Sequence, residues 1–134
     1  MNISSKFFKL SEFERTSHAV DNTVKDINIL ANIQSLVSNV LDNVRSLWGK
    51  PITINSGYRS PELNKLVGGA VNSQHVIGEA VDITVGSKEE NKKLFDMIIK
   101  CGVPYDQIID EQGYKWIHIS YKRTGSNRRQ ILHL

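Results

Sequence analysis

The stretch Ala80-Val81-Asp82-Ile83-Thr84-Val85 puts a carboxylate inside an apolar run. Strand side chains alternate, so Val81, Ile83 and Val85 share one side of an extended chain, and Ala80, Asp82 and Thr84 share the other. The aliphatic side calls for a covered sheet face. The other side carries a charge that is costly to bury unless it finds partners. A half-buried strand with a polar working face is the arrangement that satisfies both demands.

A second segment repeats the pattern. In "WIHIS" (116–120) Ile117 and Ile119 share a face, and Trp116, His118 and Ser120 share the opposite one. "PYDQIID" reads as another short strand, joined to it by "EQGY", a hairpin-length connection. Ile52 and Ile54 alternate with Thr53 and Asn55 in a further strand that Gly57 breaks.

Helical periodicity fills the spaces between. In "NIQSLVSNVLDNVRSLWG" (32–49) Ile33, Leu36, Val37, Val40, Leu41, Val44, Leu47 and Trp48 form one wide apolar stripe, with Trp48 expected in the core and Gly49 and Pro51 as stop signals. "SKEENKKLFDMIIK" is a helix capped by Ser87, with Glu90 as its partner and Leu94, Phe95, Ile98 and Ile99 buried. Ser60-Pro61 starts a shorter helix that ends at the glycines 68 and 69. "LSEFERT" reads as a short helix capped by Ser11 with Glu14. The expected fold class is α+β: a small antiparallel or mixed sheet, helices on one face, polar residues on the other.

The chain has 134 residues, 40% of them hydrophobic and 23% charged, which suits one domain with a real core. No repeat or Gly/Ser/Pro-rich linker divides it, so one domain over residues 1–134 is expected. The net charge is +3 and the basic residues are scattered, against a nucleic-acid binder. Only "YKRTGSNRRQ" near the end is locally basic, and it reads as a solvated tail. Cys101 stands alone, so no intrachain disulfide forms, and it reads as a small core residue. No apolar run is long enough to cross a membrane, and the first residues lack the apolar stretch of a signal peptide. A monomer is expected.

The polar faces suggest chemistry. If the strands of Asp82 and His118 are neighbours, carboxylate and imidazole converge. His75 precedes Asp82 across a turn that Gly78 makes easy. Three ligands of types N, O and N, with a fourth position left open, are a common catalytic zinc arrangement. The same spacing also accommodates a loop histidine, a turn-capping aspartate and a packed histidine.

The residues Ser73, His75, Gly78, Ala80 and Asp82 resemble the SxHxxGxAxD signature of the M15 zinc peptidases. These comprise D-alanyl-D-alanine carboxypeptidases and dipeptidases and phage L-alanyl-D-glutamate endopeptidases, and their fold is shared with the hedgehog signalling domain. "WIHIS" resembles the strand of the family's second histidine, "NSGYRSPELN" the element that supplies an arginine, and "FFKLSEF" and "AVDN" the opening of a compact subfamily. The resemblance runs from about residue 7 to about residue 121.

It implies that His75, Asp82 and His118 bind Zn2+, and that Arg59 binds substrate and steadies the developing oxyanion. Tyr58 would line the cleft, and Ser73 would orient the loop or a substrate carboxylate. Many family members carry an acid three residues before the second histidine; Lys115 stands there in this chain. In the compact subfamily "YDQIIDEQ" is matched by an acid closing the strand, which falls on Glu111 as general base, with Asp110 as the alternative. The bland reading makes both solvated hairpin acids. His18 and His133 have no matched role.

The activity so implied is zinc-dependent hydrolysis of peptidoglycan stem peptides, by a carboxypeptidase or an endopeptidase. The missing signal fits a phage or prophage endolysin released by a holin, or a virion component, acting at the cell wall. The rival is a non-catalytic zinc-containing wall-binding or structural domain, which the Lys115 departure keeps open.

Overall fold

A computed structural model describes residues 1–134. The strands are β1 (Thr53–Ser56), β2 (Ala80–Thr84), β3 (Gln107–Glu111), β4 (Trp116–Ser120) and β5 (Gln130–His133). They form one sheet in the order β1-β2-β4-β3-β5. All neighbours are antiparallel except β3 and β5, which run parallel. The architecture is therefore a small α+β fold with a mixed sheet.

Register explains the two faces. Val81 lies opposite Ile119, Ile83 opposite Ile117 and Ile54, and Ile108 opposite Ile119. These side chains are buried on the side that the helices cover. The cover consists of α2 (Ile27–Leu36), a π-helical turn (Val37–Leu41), α3 (Asp42–Trp48) and α5 (Lys88–Cys101). Ile33, Leu36, Val37, Val40, Leu41 and Val44 are all fully buried, as their stripe requires. Each such side chain is worth about 1.5–3 kcal/mol of transfer free energy, so this face holds the sheet together.

Two helix caps follow the expected chemistry. Ser60 Oγ accepts the Leu63 N–H at 3.2 Å to start α4 (Pro61–Leu66), and Ser87 Oγ accepts the Glu90 N–H at 3.1 Å to start α5. Three other expectations need correction. The first helix, α1 (Leu10–Glu14), starts two residues earlier than a Ser11 cap requires; Glu12 accepts the Lys9 N–H, and Glu14 instead accepts the Val24 N–H at 2.8 Å. The long helix starts at Ile27 under an Asp26 cap, and the π-turn interrupts it. Trp48 is only partly buried, with the Lys50 ammonium 4.7 Å from its ring centroid.

The basic tail is the largest departure. It does not trail into solvent but returns as β5 against β3. The anchor is Asp106, which is fully buried. Its carboxylate accepts Arg128 Nη2 at 2.8 Å, Arg128 Nε at 3.1 Å, the Arg128 backbone N–H at 2.8 Å and Gln74 Nε2 at 3.1 Å. Burial alone would raise this carboxyl, but the Arg128 and Gln74 bonds outweigh it and lower it to about 2.

Because the folded value lies below the unfolded one, Asp106 stabilises the protein above the ordinary carboxylate range, and this stabilisation is lost as pH falls toward 2. Asp106→Asn should therefore cost on the order of 2 kcal/mol near neutral pH, with the gap to wild type closing in acid. Urea unfolding of both proteins at pH 6 and at pH 2.5 measures it; a gap that does not shrink contradicts the assignment.

Candidate metal centre

Asp82 lies directly opposite His118 in the β2–β4 ladder, and directly opposite partners share a face. That puts carboxylate and imidazole side by side on the face away from the helices, as the alternation predicts. His118 Nδ1 is 3.0 Å from Asp82 Oδ1. On the other side a bulge between Ile54 and Ser56 brings Ser56 opposite Asp82. Bulges re-aim side chains in this way, and a strict alternation through Asn55 missed it.

His75 is no strand residue. It sits in a one-turn 3₁₀ helix, Gln74–Ile77, that leads into β2. Ser73 Oγ caps that turn by accepting the His75 N–H at 3.2 Å, so Ser73 orients the loop locally. Gly78 ends the turn at φ 77°, and a Cβ there would meet the Ile29 carbonyl oxygen at 2.8 Å. Both the dihedral and the close approach of α2 demand glycine.

The His75 ring is fixed by its second nitrogen. Nδ1 lies 2.8 Å from the Gly57 carbonyl oxygen, which can only accept. Nδ1 therefore carries the proton of the neutral ring, and the Nε2 lone pair faces Asp82 Oδ1 at 3.3 Å. Histidine ligands are commonly oriented in this way by a backbone carbonyl. The ligand atoms of His75, Asp82 and His118 all lie within 4.8 Å of one another. A carboxylate oxygen and an imidazole lone pair converging on one small space call for a cation between them. The donor set N, O, N suits zinc.

Arg59 completes the ring around Asp82. Its Nη2 lies 3.5 Å from Asp82 Oδ2 and its Nε donates to Ser56 Oγ at 3.1 Å. Burial works against ionisation of Asp82, but the His118 hydrogen bond opposes it, and the carboxyl is held well below the usual range.

The hairpin acids separate cleanly. Ile109 lies opposite His118, so Glu111, two residues on, shares the His118 face. Burial pushes the Glu111 carboxyl up; His118 opposes this, Asp82 and Asp110 add to it, and His75 opposes it. Asp110 lies opposite Ile117 on the helix side. It is buried and pairs with His133 of β5, so the reading of Asp110 as a solvated hairpin acid is corrected, and His133 acquires a structural partner. The signal in the sequence was the tail, whose return as a strand periodicity did not reveal. Lys115 is exposed at the end of the hairpin. Tyr58 is 7% exposed, and with Arg59 and the exposed His18 it lines a cleft of about 240 Å³.

A sheet and the turn leading into it present a largely buried His-His-Asp cluster beside an arginine, which defines a candidate metal-site domain of α+β class. The family described as Peptidase M15 matches residues 6–120, and the chain belongs to that family. Over 43 residues, 32% of this chain, it is 54% identical to the zinc D-Ala-D-Ala carboxypeptidase of Streptomyces albus G; the matched region is 17% of that relative. The His-His-Asp cluster accords with the zinc dependence in that relative's name.

Gly57 gives the centre a test. A Cβ there would meet Phe13 Cα at 2.6 Å and the Phe13 carbonyl oxygen at 2.8 Å. Gly57→Ala must therefore displace the carbonyl that orients His75, and zinc affinity should fall about 10- to 100-fold. Competition with a chromogenic chelator measures this, and wild-type affinity in the variant would refute the orienting role.

Proposed function

We propose that the chain is a zinc-dependent peptidase acting on peptidoglycan stem peptides at the cell wall. The observation that carries this reading is the convergence of His75, Asp82 and His118 on a face that also bears Glu111. Bound zinc would supply Lewis-acid activation of a water and of the scissile carbonyl.

The chain's own residues do the rest. Glu111 is half-buried, and its raised carboxyl makes it a better base than a solvated glutamate. As carboxylate it takes the proton of the attacking water. As the acid it then gives that proton to the amine nitrogen as the C–N bond breaks. Arg59, already held beside the metal site by Ser56, offers its guanidinium to the negative charge that grows on the carbonyl oxygen. The side chains of His75, Asp82, His118 and Arg59 are at most 17% exposed, and this low exposure strengthens every charge interaction among them.

The family and the carboxypeptidase relative support peptidoglycan as substrate. Its anionic character suits a chain of net charge +3. Digesting purified muropeptides and weighing the products tests the reading and separates removal of a terminal D-alanine from an internal cut.

The residue-level test is a pair of variants. Glu111→Gln should retain fold and zinc and lose about 100- to 10,000-fold in kcat. Asp110→Asn should leave kcat near wild type and lower stability, because it removes the charged partner of His133 on the helix side. Steady-state rates and unfolding midpoints, with zinc content measured for each, decide it. An active Glu111→Gln beside an inactive, folded Asp110→Asn would reverse the roles.

A further inference from the structure

The chain between α1 and α2 lends the site only cleft-lining residues such as His18, yet it contains a buried amide whose two N–H bonds are both donated. Asn22 is 5% exposed. Its Nδ2 donates to the Tyr58 carbonyl at 2.8 Å and to the Glu14 carbonyl at 3.0 Å, and its Oδ1 accepts the Ser60 N–H at 2.7 Å. Tyr58 and Ser60 are the two residues that flank Arg59.

The loop is held on its N-terminal side by the Gly57 bond to His75 and by the buried Tyr58 ring. Arg59 donates its own N–H to the His75 carbonyl at 3.1 Å, and beyond Ser60 the chain enters α4. An arginine has a long, flexible stem, so its guanidinium is preorganised only if its Cα is fixed. One side chain that grips the peptide groups on both sides supplies that fix.

We propose that Asn22 is a positioning residue for Arg59: its amide clamps Tyr58 and Ser60, and so sets where the guanidinium meets the substrate. The inference rests on the role given to Arg59 under Proposed function. A tie that merely fastened α1 to the sheet would need the bond to Glu14 and one loop bond. The bracketing of a single residue is what points to Arg59.

A double-mutant cycle tests it on the zinc-loaded protein. Asn22→Ala should lower kcat/KM for stem-peptide cleavage about 100-fold with zinc content unchanged. In an Arg59→Ala background the same change should cost no more than about 2-fold. Equal losses in the two backgrounds would overturn the proposal, since a purely structural residue is indifferent to Arg59. Asn22→Ser removes the clamp while leaving a small polar group, and it carries the cycle if the alanine variant does not fold.

Hydrogen exchange read by mass spectrometry gives an answer independent of turnover. Peptides covering 58–60 should exchange faster in the Asn22 variant while β2 and β4 stay protected. Unchanged exchange there overturns the clamp. If wild-type protein cleaves no stem peptide, the proposed activity fails, and the exchange result alone decides the clamp.

Discussion

Asp82 is the constraint around which the site is built. It lies on β2, between β1 and β4, at 8% exposure. A charge so placed is expensive unless it is paired and hydrogen-bonded, and removing a partner from it is worse than never having had the charge. Its surroundings answer that cost with the His118 nitrogen at 3.0 Å and a guanidinium nitrogen at 3.5 Å, while the His75 lone pair at 3.3 Å leaves room for a cation. The same register that supplies His118 to Asp82 sends Ile83, Ile117 and Ile119 to the other side. Core and metal site are thus two consequences of one pairing. A slip of one residue between β2 and β4 would destroy both.

The precision of the centre is not uniform in origin. Asp82 and His118 inherit theirs from the sheet, whereas His75 comes from a turn and must be tethered. Ser73 caps the turn, Gly57 grips the ring, and Gln74 reaches Asp106, the residue that also holds the tail through Arg128. Glu79, just beyond the turn, accepts the Tyr121 N–H at 2.9 Å. The loop ligand is therefore braced from β1, from the start of β3 and from the end of β4. Phe13 closing on Gly57 carries that brace out to α1.

Strands β1 to β4 and the α4 and α5 caps were legible in the sequence because each has a local signature, whereas the three candidate ligands rested on the family resemblance. Val81 and Ile83 alternate with Asp82, and Ser60 and Ser87 precede their helices at capping distance. What escaped notice depends on residues far apart in the chain. Asn55 bulges because Ser56 must face Asp82, and nothing within "TINS" says so. Asp106 lies in the expected strand "PYDQIID", and nothing in that stretch announces its bond to Arg128. Asp110 looks like a hairpin acid until His133 arrives beside it. The π-turn is likewise invisible, since Val37, Val40 and Leu41 continue the helical stripe and the extra residue changes only the hydrogen bonding.

The lysine at 115 follows from the same geometry. The family resemblance leads one to expect an acid at that position, and a cation there looks at first like the loss of the base. Here Lys115 closes the hairpin: its N–H donates to the Glu111 carbonyl at 3.0 Å, and its own carbonyl accepts from Asn91 Nδ2 at 3.2 Å. It lies in the turn just before β4, and its side chain is exposed. A positive charge there is solvated and costs the metal site little. Glu111, across the mouth of the same hairpin, has the parity of His118, and burial pushes its carboxyl up. Of the two hairpin strands, β3 is the one that ends in a carboxylate on the His118 face.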